Sequence, residues 1–539
     1  MNGFGVLLRQ RARRDRWQVP LWVIGTALLA AATIVGVSDS YGTEQDRVAL
    51  LATASANPVI MLFRGLPSGA GAGAFALFLI FPFLAMLAAF MSTFLAVRHT
   101  RAEEELGRAE LVGATTAGRI VPLLATLMHG LLANLALGAL TALALMASGL
   151  PTTGSLVAGL GAGAVGVSFL GVGLLAGQLM RTARGANSLA VWLLLLGYLL
   201  AGIGNALGTP STDLQRIESS WPTWTSPFGW GENSRPFADD AVWPLLLCLM
   251  FGLGLAGVSA ALQASRDLGE SLVPGRRGPE TAGSWAAGPT ALVWRLTRGS
   301  ILGWCVGGLL SGVLATSLAG VLAGAASKLP SVQAILDALT AEGSIAQGAV
   351  AIFFLMVGVL ASCCAVQTIC HARHEESSGT AEAVLSAAVG RVRWLASHAV
   401  VGFAGVVGVV VSAVAGAALG LASSDGDWSL MGDVLVSGAG QIAAASVFLV
   451  LTALVFVLAP RLTVPLGWAL VLLGTVVGLF GPLFGFPRWL VDLAPISLAP
   501  SVTADGADVD GLLWLVLVAA AGAAMSLSLM RRRELVPAG

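Results

Sequence analysis

Apolar residues run along the chain in long uninterrupted blocks, near 20–37, 73–97, 120–148, 154–180, 186–208 and 242–263. A second set falls near 301–326, 346–369, 394–422, 433–459, 464–484 and 511–530. Each block reaches the roughly 18–20 residues that an α-helix needs to cross a ~30 Å hydrocarbon layer. Charged residues and Pro/Gly clusters separate them, so the pattern predicts an all-α polytopic membrane protein with about twelve transmembrane helices.

The polar positions then set an orientation. Placing the N-terminus in the cytoplasm puts 23 of the 29 basic residues on the inner side. The exceptions are Arg47, Arg64, Arg216, Arg235, Lys328 and Arg488. A wrong span count would scramble this alternation, so both termini are expected in the cytoplasm. Composition agrees. Hydrophobic residues are 56% of the chain and charged residues 11%, too few charges to cover a soluble protein of 539 residues,. The basic start followed by an apolar run has the look of a signal peptide, but with many spans downstream it reads as an uncleaved first helix. Five cysteines without a C-x-x-C spacing read as buried free thiols,.

The chain repeats itself. The stretch from His99 to Arg119 aligns without gaps on the stretch from His371 to Arg391, with ten of 21 positions identical,. The matches include Arg101 with Arg373, Glu103 with Glu375, Glu104 with Glu376, Gly107 with Gly379 and Glu110 with Glu382. A weaker echo pairs Arg13, Arg16, Trp22 and Gly25 with Arg295, Arg298, Trp304 and Gly307. Six spans separate equivalent points, so the halves form parallel rather than inverted repeats. The expected organisation is a first six-helix unit over 1–265, a Pro-, Gly- and Arg-rich cytoplasmic linker over 266–288 and a second six-helix unit over 289–539,.

Chemistry is sparse. The predicted spans hold essentially no Asp, Glu, Lys or Arg, the usual parts of proton relays and ion-coupled carriers. Neutral polar residues (Asn134, Gln178, Asn187, Asn205, Gln367, Gln441) and His129 and His398 lie at depth, where helix-to-helix hydrogen bonds account for most of them,. No nucleotide site is expected: the sole lysine, Lys328, follows Ser327 and fits no Walker pattern,. The glycines Gly161, Gly163 and Gly166 match G-x-G-x-x-G only inside a membrane helix, where they let neighbours pack closely,. No spaced metal set, no nucleophile–base pair and no feature suited to nucleic acid stands out. The duplicated acidic loops remain. Residues 102–112 favour a short surface helix, with Leu106, Ala109 and Gly113 on one face, that offers carboxylates and arginine to a cytoplasmic partner,. The glycines Gly107 and Gly379 permit a bend there,.

RAEEELGRAEL and RHEESSGTAEA, each between the second and third spans of its half, resemble the coupling helices in permease subunits of type-2 ATP-binding-cassette exporters. More narrowly, the chain is similar to fused two-unit actinobacterial permeases of the tetronasin or multidrug efflux type. The resemblance implies a multi-pass protein of the bacterial plasma membrane, without enzymatic activity or cofactor of its own, exporting hydrophobic or amphipathic drugs and antibiotics. Two copies of a separate cytoplasmic ATPase would bind ATP and Mg. Arg101, Glu103, Glu104, Gly107 and Glu110, with Arg373, Glu375, Glu376, Gly379 and Glu382, would form the coupling helices. The outer Trp/Pro loops resemble re-entrant segments before each unit's last span, which makes Trp221, Trp224, Pro227, Trp489 and Pro495 candidates for an external gate. Export of a lipid or cell-envelope precursor, and ion-coupled secondary transport, are the alternative functions.

Overall fold

A computed structural model describes residues 3–55, 58–115, 118–266, 272, 288–317, 345–423, 427–480, 487–503, 506–508 and 510–533. Most of the predicted linker and Lys328 lie outside them. The chain divides into two compact units, Met1–Arg277 and Gly278–Gly539.

Unit 1 begins with a surface helix, α1 (Gly3–Arg14), before the first long helix, α2 (Gln18–Ser40). The chain stays nearly helical across the gap, because the Asp15 amide bonds the Arg11 carbonyl and the Val19 amide bonds the Asp15 carbonyl. Two short helices, α3 (Glu44–Ser55) and α4 (Pro58–Phe63), lead into α5 (Ala72–His99). The acidic loop forms α6 (Arg101–Glu105) and α7 (Arg108–Gly113), and α8 (Val121–Ala147), α9 (Thr152–Leu179) and α10 (Ala183–Ala206) follow. A six-residue helix, α11 (Pro227–Glu232), precedes α12 (Trp243–Ser265).

Helix α9 is the axis of this unit. Nearly all of it is buried, against α5, α8 and α12. The glycine-rich sequence makes that possible: a Cβ on Gly138 or Gly159 would lie within 3 Å of the facing backbone, so α8 and α9 touch main chain to main chain,. Gly161, Gly163 and Gly166 fall inside α9, and Asn134 packs against Gly166 while bonding Ser92 at 2.8 Å.

Unit 2 comprises α13 (Pro289–Ser317), α14 (Ile345–Ser377), α15 (Thr380–Leu385), α16 (Arg391–Ser423), α17 (Leu430–Leu458), α18 (Thr463–Phe480), α19 (Arg488–Val491) and α20 (Asp510–Met530). Its tightest pair is α13 on α16, where Gly312 and Gly416 meet facing backbone.

Twelve of the described helices are long and apolar enough to cross a membrane. The protein is an all-α multi-pass membrane protein. Two boundaries differ from the sequence expectation. The seventh long helix starts at Pro289 rather than near 301, carrying Arg295 and Arg298 in its first turns, and its predicted end lies outside the described residues. The eighth runs to Ser377 rather than 369. In both, charged residues mark where the helix leaves hydrocarbon, whereas its hydrogen-bonded backbone continues beyond it.

Candidate functional site

The acidic loops lie between the second and third long helices of their units. Neither is a single helix. Gly107 has φ +70° and Gly379 φ +77°, the left-handed region that a side chain disfavours,. Each loop therefore turns sharply at its glycine. In unit 1 the break separates α6 from α7, so Leu106 does not share a continuous face with Ala109 and Gly113, contrary to the single-helix expectation. In unit 2 the segment before the glycine remains part of α14.

The repeated carboxylates divide into anchors and exposed groups. In unit 1, Arg101 is buried and donates from Nε and Nη2 to the Arg181 carbonyl at 2.8 and 2.7 Å. Its Nη1 reaches Glu104 Oε2 at 2.7 Å, and Glu104 Oε1 accepts from Arg266, at the end of α12, at 2.6 Å. Glu105 accepts from the Ala183 amide at 2.9 Å. Glu103 pairs with Arg14 of α1 and, at 3.4 Å, with Arg108. Among the predicted carboxylates of this loop, Glu110 is the exposed one.

Unit 2 repeats the anchor with different partners. Glu376 is buried, pairs with Arg373 at 3.3 Å and accepts from Arg533, just beyond α20, at 2.5 Å. Glu375 is buried too; it accepts from the Trp394 indole at 3.0 Å and lies 3.3 Å from His371 and 3.7 Å from His398. Glu382, the counterpart of Glu110, is exposed. Thus Glu104, Glu375 and Glu376 tie each loop to its own unit and are turned away from any partner in solution.

Compared with known proteins, residues 287–531 match the family model described as the C-terminal domain of the multidrug efflux system permease Rv1217c. Over 531 residues the chain is 34% identical to the multidrug efflux system permease protein Rv1217c of Mycobacterium tuberculosis, covering 98% of this chain and 94% of that protein. The chain belongs to this permease family. Among solved structures, an inward-facing multidrug resistance MATE family transporter of the MOP superfamily aligns over 94% of this chain and 99% of its own length, with 13% identity and a TM-score of 0.35.

At the opposite end of unit 1 from α6 and α7, the permease folds residues 221–232 inward. Trp224 stacks on Trp243 at 5.2 Å, the Trp230 indole donates to the Trp224 carbonyl at 2.6 Å, and Pro227 opens α11 after the Ser226 cap. Phe228 is buried between Phe169 and Tyr198, while Trp221 remains exposed. Glu232 is buried against Asn205 at 2.5 Å, and burial pushes its carboxyl up to about 8. In unit 2, Trp489 is exposed and Pro495 half-buried, next to the Ile496 carbonyl that accepts from Gln441.

Sequence spacing gave no sign of several groups that the structure brings to the α6–α7 end. Asp15 is buried, with Oδ1 accepting from Arg98 at 2.8 Å and Oδ2 lying 2.7 Å from His99 and 3.0 Å from His129. Burial alone would raise this carboxyl, but hydrogen bonds to His129, His99 and Arg98 hold it well below the usual carboxylate range. The three ligand-type atoms lie within 4.8 Å of one another, a trio unforeseen in a sequence without spaced metal ligands. Both Asp15 oxygens are already bonded, and Arg98 and Arg11 oppose a dication there, so the trio reads as a closed hydrogen-bond network,. The anchors Arg266 and Arg533 were equally invisible, because each lies more than 150 residues from its glutamate.

Proposed function

We propose that this permease is the membrane part of an ATP-driven exporter of hydrophobic or amphipathic compounds such as antibiotics and drugs. Two copies of a separate cytoplasmic ATPase, which bind ATP and Mg, engage the two acidic loops as coupling handles. Both termini and both handles face the cytoplasm of a bacterial cell. The observation that carries this reading is the duplicated, glycine-broken handle in a member of an efflux permease family.

The geometry supports a mechanical division of labour. Beyond each glycine, Glu110 with Leu111, or Glu382, meets the ATPase. Before it, the buried ion pairs transmit displacement: a push on α6 reaches α12 through Glu104 and Arg266, and one on the end of α14 reaches α20 through Glu376 and Arg533. ATP drives such movement only if the ATPases bind the two states with different free energies. The segments around Trp221, Trp224, Pro227, Trp489 and Pro495 close the far end as an external gate. Export of a lipid or envelope precursor would use the same parts.

The test reconstitutes the chain with its ATPase in vesicles and follows dye or antibiotic movement. Movement that requires ATP and the ATPase is the expected result. Movement driven by a proton gradient without the ATPase would overturn the proposal in favour of a secondary carrier.

A further inference from the structure

At the α1 end of unit 1 a cavity of 510 Å³ opens between α1, the α6–α7 handle and the first turn of α8. Such a volume suits a small-molecule or headgroup site. Leu7, Leu111 and Leu123 give it apolar walls, and five arginines against three glutamates make its lining cationic.

Arg11 is the anomaly. It lines the cavity, is only 7% exposed, and its Nε and Nη1 have no hydrogen-bond acceptor. The nearby acids are committed elsewhere: Asp15 to Arg98, His99 and His129, and Glu103 to Arg14 and Arg108. Burial pulls Arg11 down to about 10, so it is still a cation at neutral pH. A buried charge with orphaned donors costs free energy unless something compensates it.

Packing does not demand this arginine. In the register that aligns Arg13 with Arg295 and Arg16 with Arg298, Arg11 falls on Val293 and Asp15 on Thr297, both buried in unit 2. The same helical face is thus built from apolar and neutral residues in the sister unit. Because α1 directly precedes the long helix α2, it lies at a membrane–water interface whichever side that end faces,.

We propose that this cavity binds the phosphate of an anionic phospholipid, with Arg11 donating to the phosphate and Leu7 and Leu123 flanking the first acyl carbons. Arginine suits that partner because its planar fork meets phosphate oxygens bidentately. The apolar walls favour a lipid over a free anion. The proposal rests on the chain being a membrane permease and not on its coupling to an ATPase.

The experiment uses the full-length permease alone, in phosphatidylcholine nanodiscs, read by thermal unfolding and by native mass spectrometry. Phosphatidylglycerol is expected to raise the unfolding temperature and to survive delipidation as a bound lipid. Arg11→Val, which installs the sister unit's residue, is expected to weaken phosphatidylglycerol binding at least about tenfold. The same variant should unfold no earlier than the wild type in phosphatidylcholine alone, since it removes a buried cation whose Nε and Nη1 lack acceptors. Equal phosphatidylglycerol binding by variant and wild type would overturn the proposal. So would stabilisation of the wild type by inorganic pyrophosphate as large as by the lipid. Should Arg11→Val fail to insert, the wild type decides: retention of phosphatidylcholine as readily as phosphatidylglycerol rejects the site.

Discussion

In unit 1 the exposed side of the handle presents Leu106, Glu110 and Leu111, the two leucines being 59% and 73% exposed. In unit 2 the same three positions are Ser378, Glu382 and Ala383. The buried side is alike in both: a glutamate held between the arginine three residues before it and an arginine at the end of the unit's last long helix. The two handles therefore share the anchor and differ in their exposed faces. An anchor is constrained by the free energy of a buried charge, whereas an exposed face answers only to its partner.

The largest effect is expected at the anchors. Glu104→Gln should leave Arg101 and Arg266 partly uncompensated, and Glu376→Gln should do the same to Arg533. Each should cost about 3–5 kcal/mol, seen as a lower unfolding temperature of the purified permease. If only one variant is destabilised, the anchors are not equivalent.

Next come the exposed faces. Leu106→Ser with Leu111→Ser should reduce ATP-driven efflux about tenfold or more with unchanged membrane insertion, since burying one leucine at an interface is worth about 1.5–3 kcal/mol. Ser378→Ala with Ala383→Ser should change little. Equal losses from both pairs would erase the asymmetry.

The glycine breaks should matter less. Gly107→Ala or Gly379→Ala forces a side chain into the left-handed region at a cost of about 1–2 kcal/mol, and no atom lies within 4 Å of the added Cβ at either position. Matching modest losses of stability in the two variants are expected.

The smallest dependence on pH near neutrality concerns Asp15, which has Thr297 as its counterpart. Its folded pKa lies below its unfolded value of about 4,. The stability it contributes is present above pH 4 and is lost as pH falls towards the folded value. Wild type and Asp15→Asn should therefore converge only in stronger acid, well below pH 5. A smaller difference in slope near pH 6 is expected too, because Asp15 raises the buried His99 imidazole that burial otherwise lowers; convergence already above pH 5 would contradict the depressed carboxyl.

Much of the candidate site was legible beforehand, and for local reasons. The two loops announced themselves as a gapless repeat, and their glycines as bends. The single helix expected over residues 102–112 was wrong because helix propensity summed over a window outweighed one glycine, which in the fold takes positive φ and splits it,. The carboxylates expected to face a partner were misjudged as a group. Glu110 and Glu382 are exposed, but Glu375 and Glu376 are buried and the Glu104 side chain is only 6% exposed, because the cations and the indole that neutralise or bond them come from remote helices.

The sequence by itself determined that the chain crosses a membrane many times, roughly where each crossing falls, and that one surface feature occurs twice. A membrane helix satisfies its own backbone within its own span, so its signature is local and survives in one dimension. Only the tertiary structure decided which charges are structural and which face outward, since Glu104 with Arg266, Glu376 with Arg533, and Asp15 with His99 and His129 meet across dozens to more than a hundred residues. Whether a buried charge is tolerated depends on what folding brings within hydrogen-bond distance of it, and that proximity has no period in the sequence.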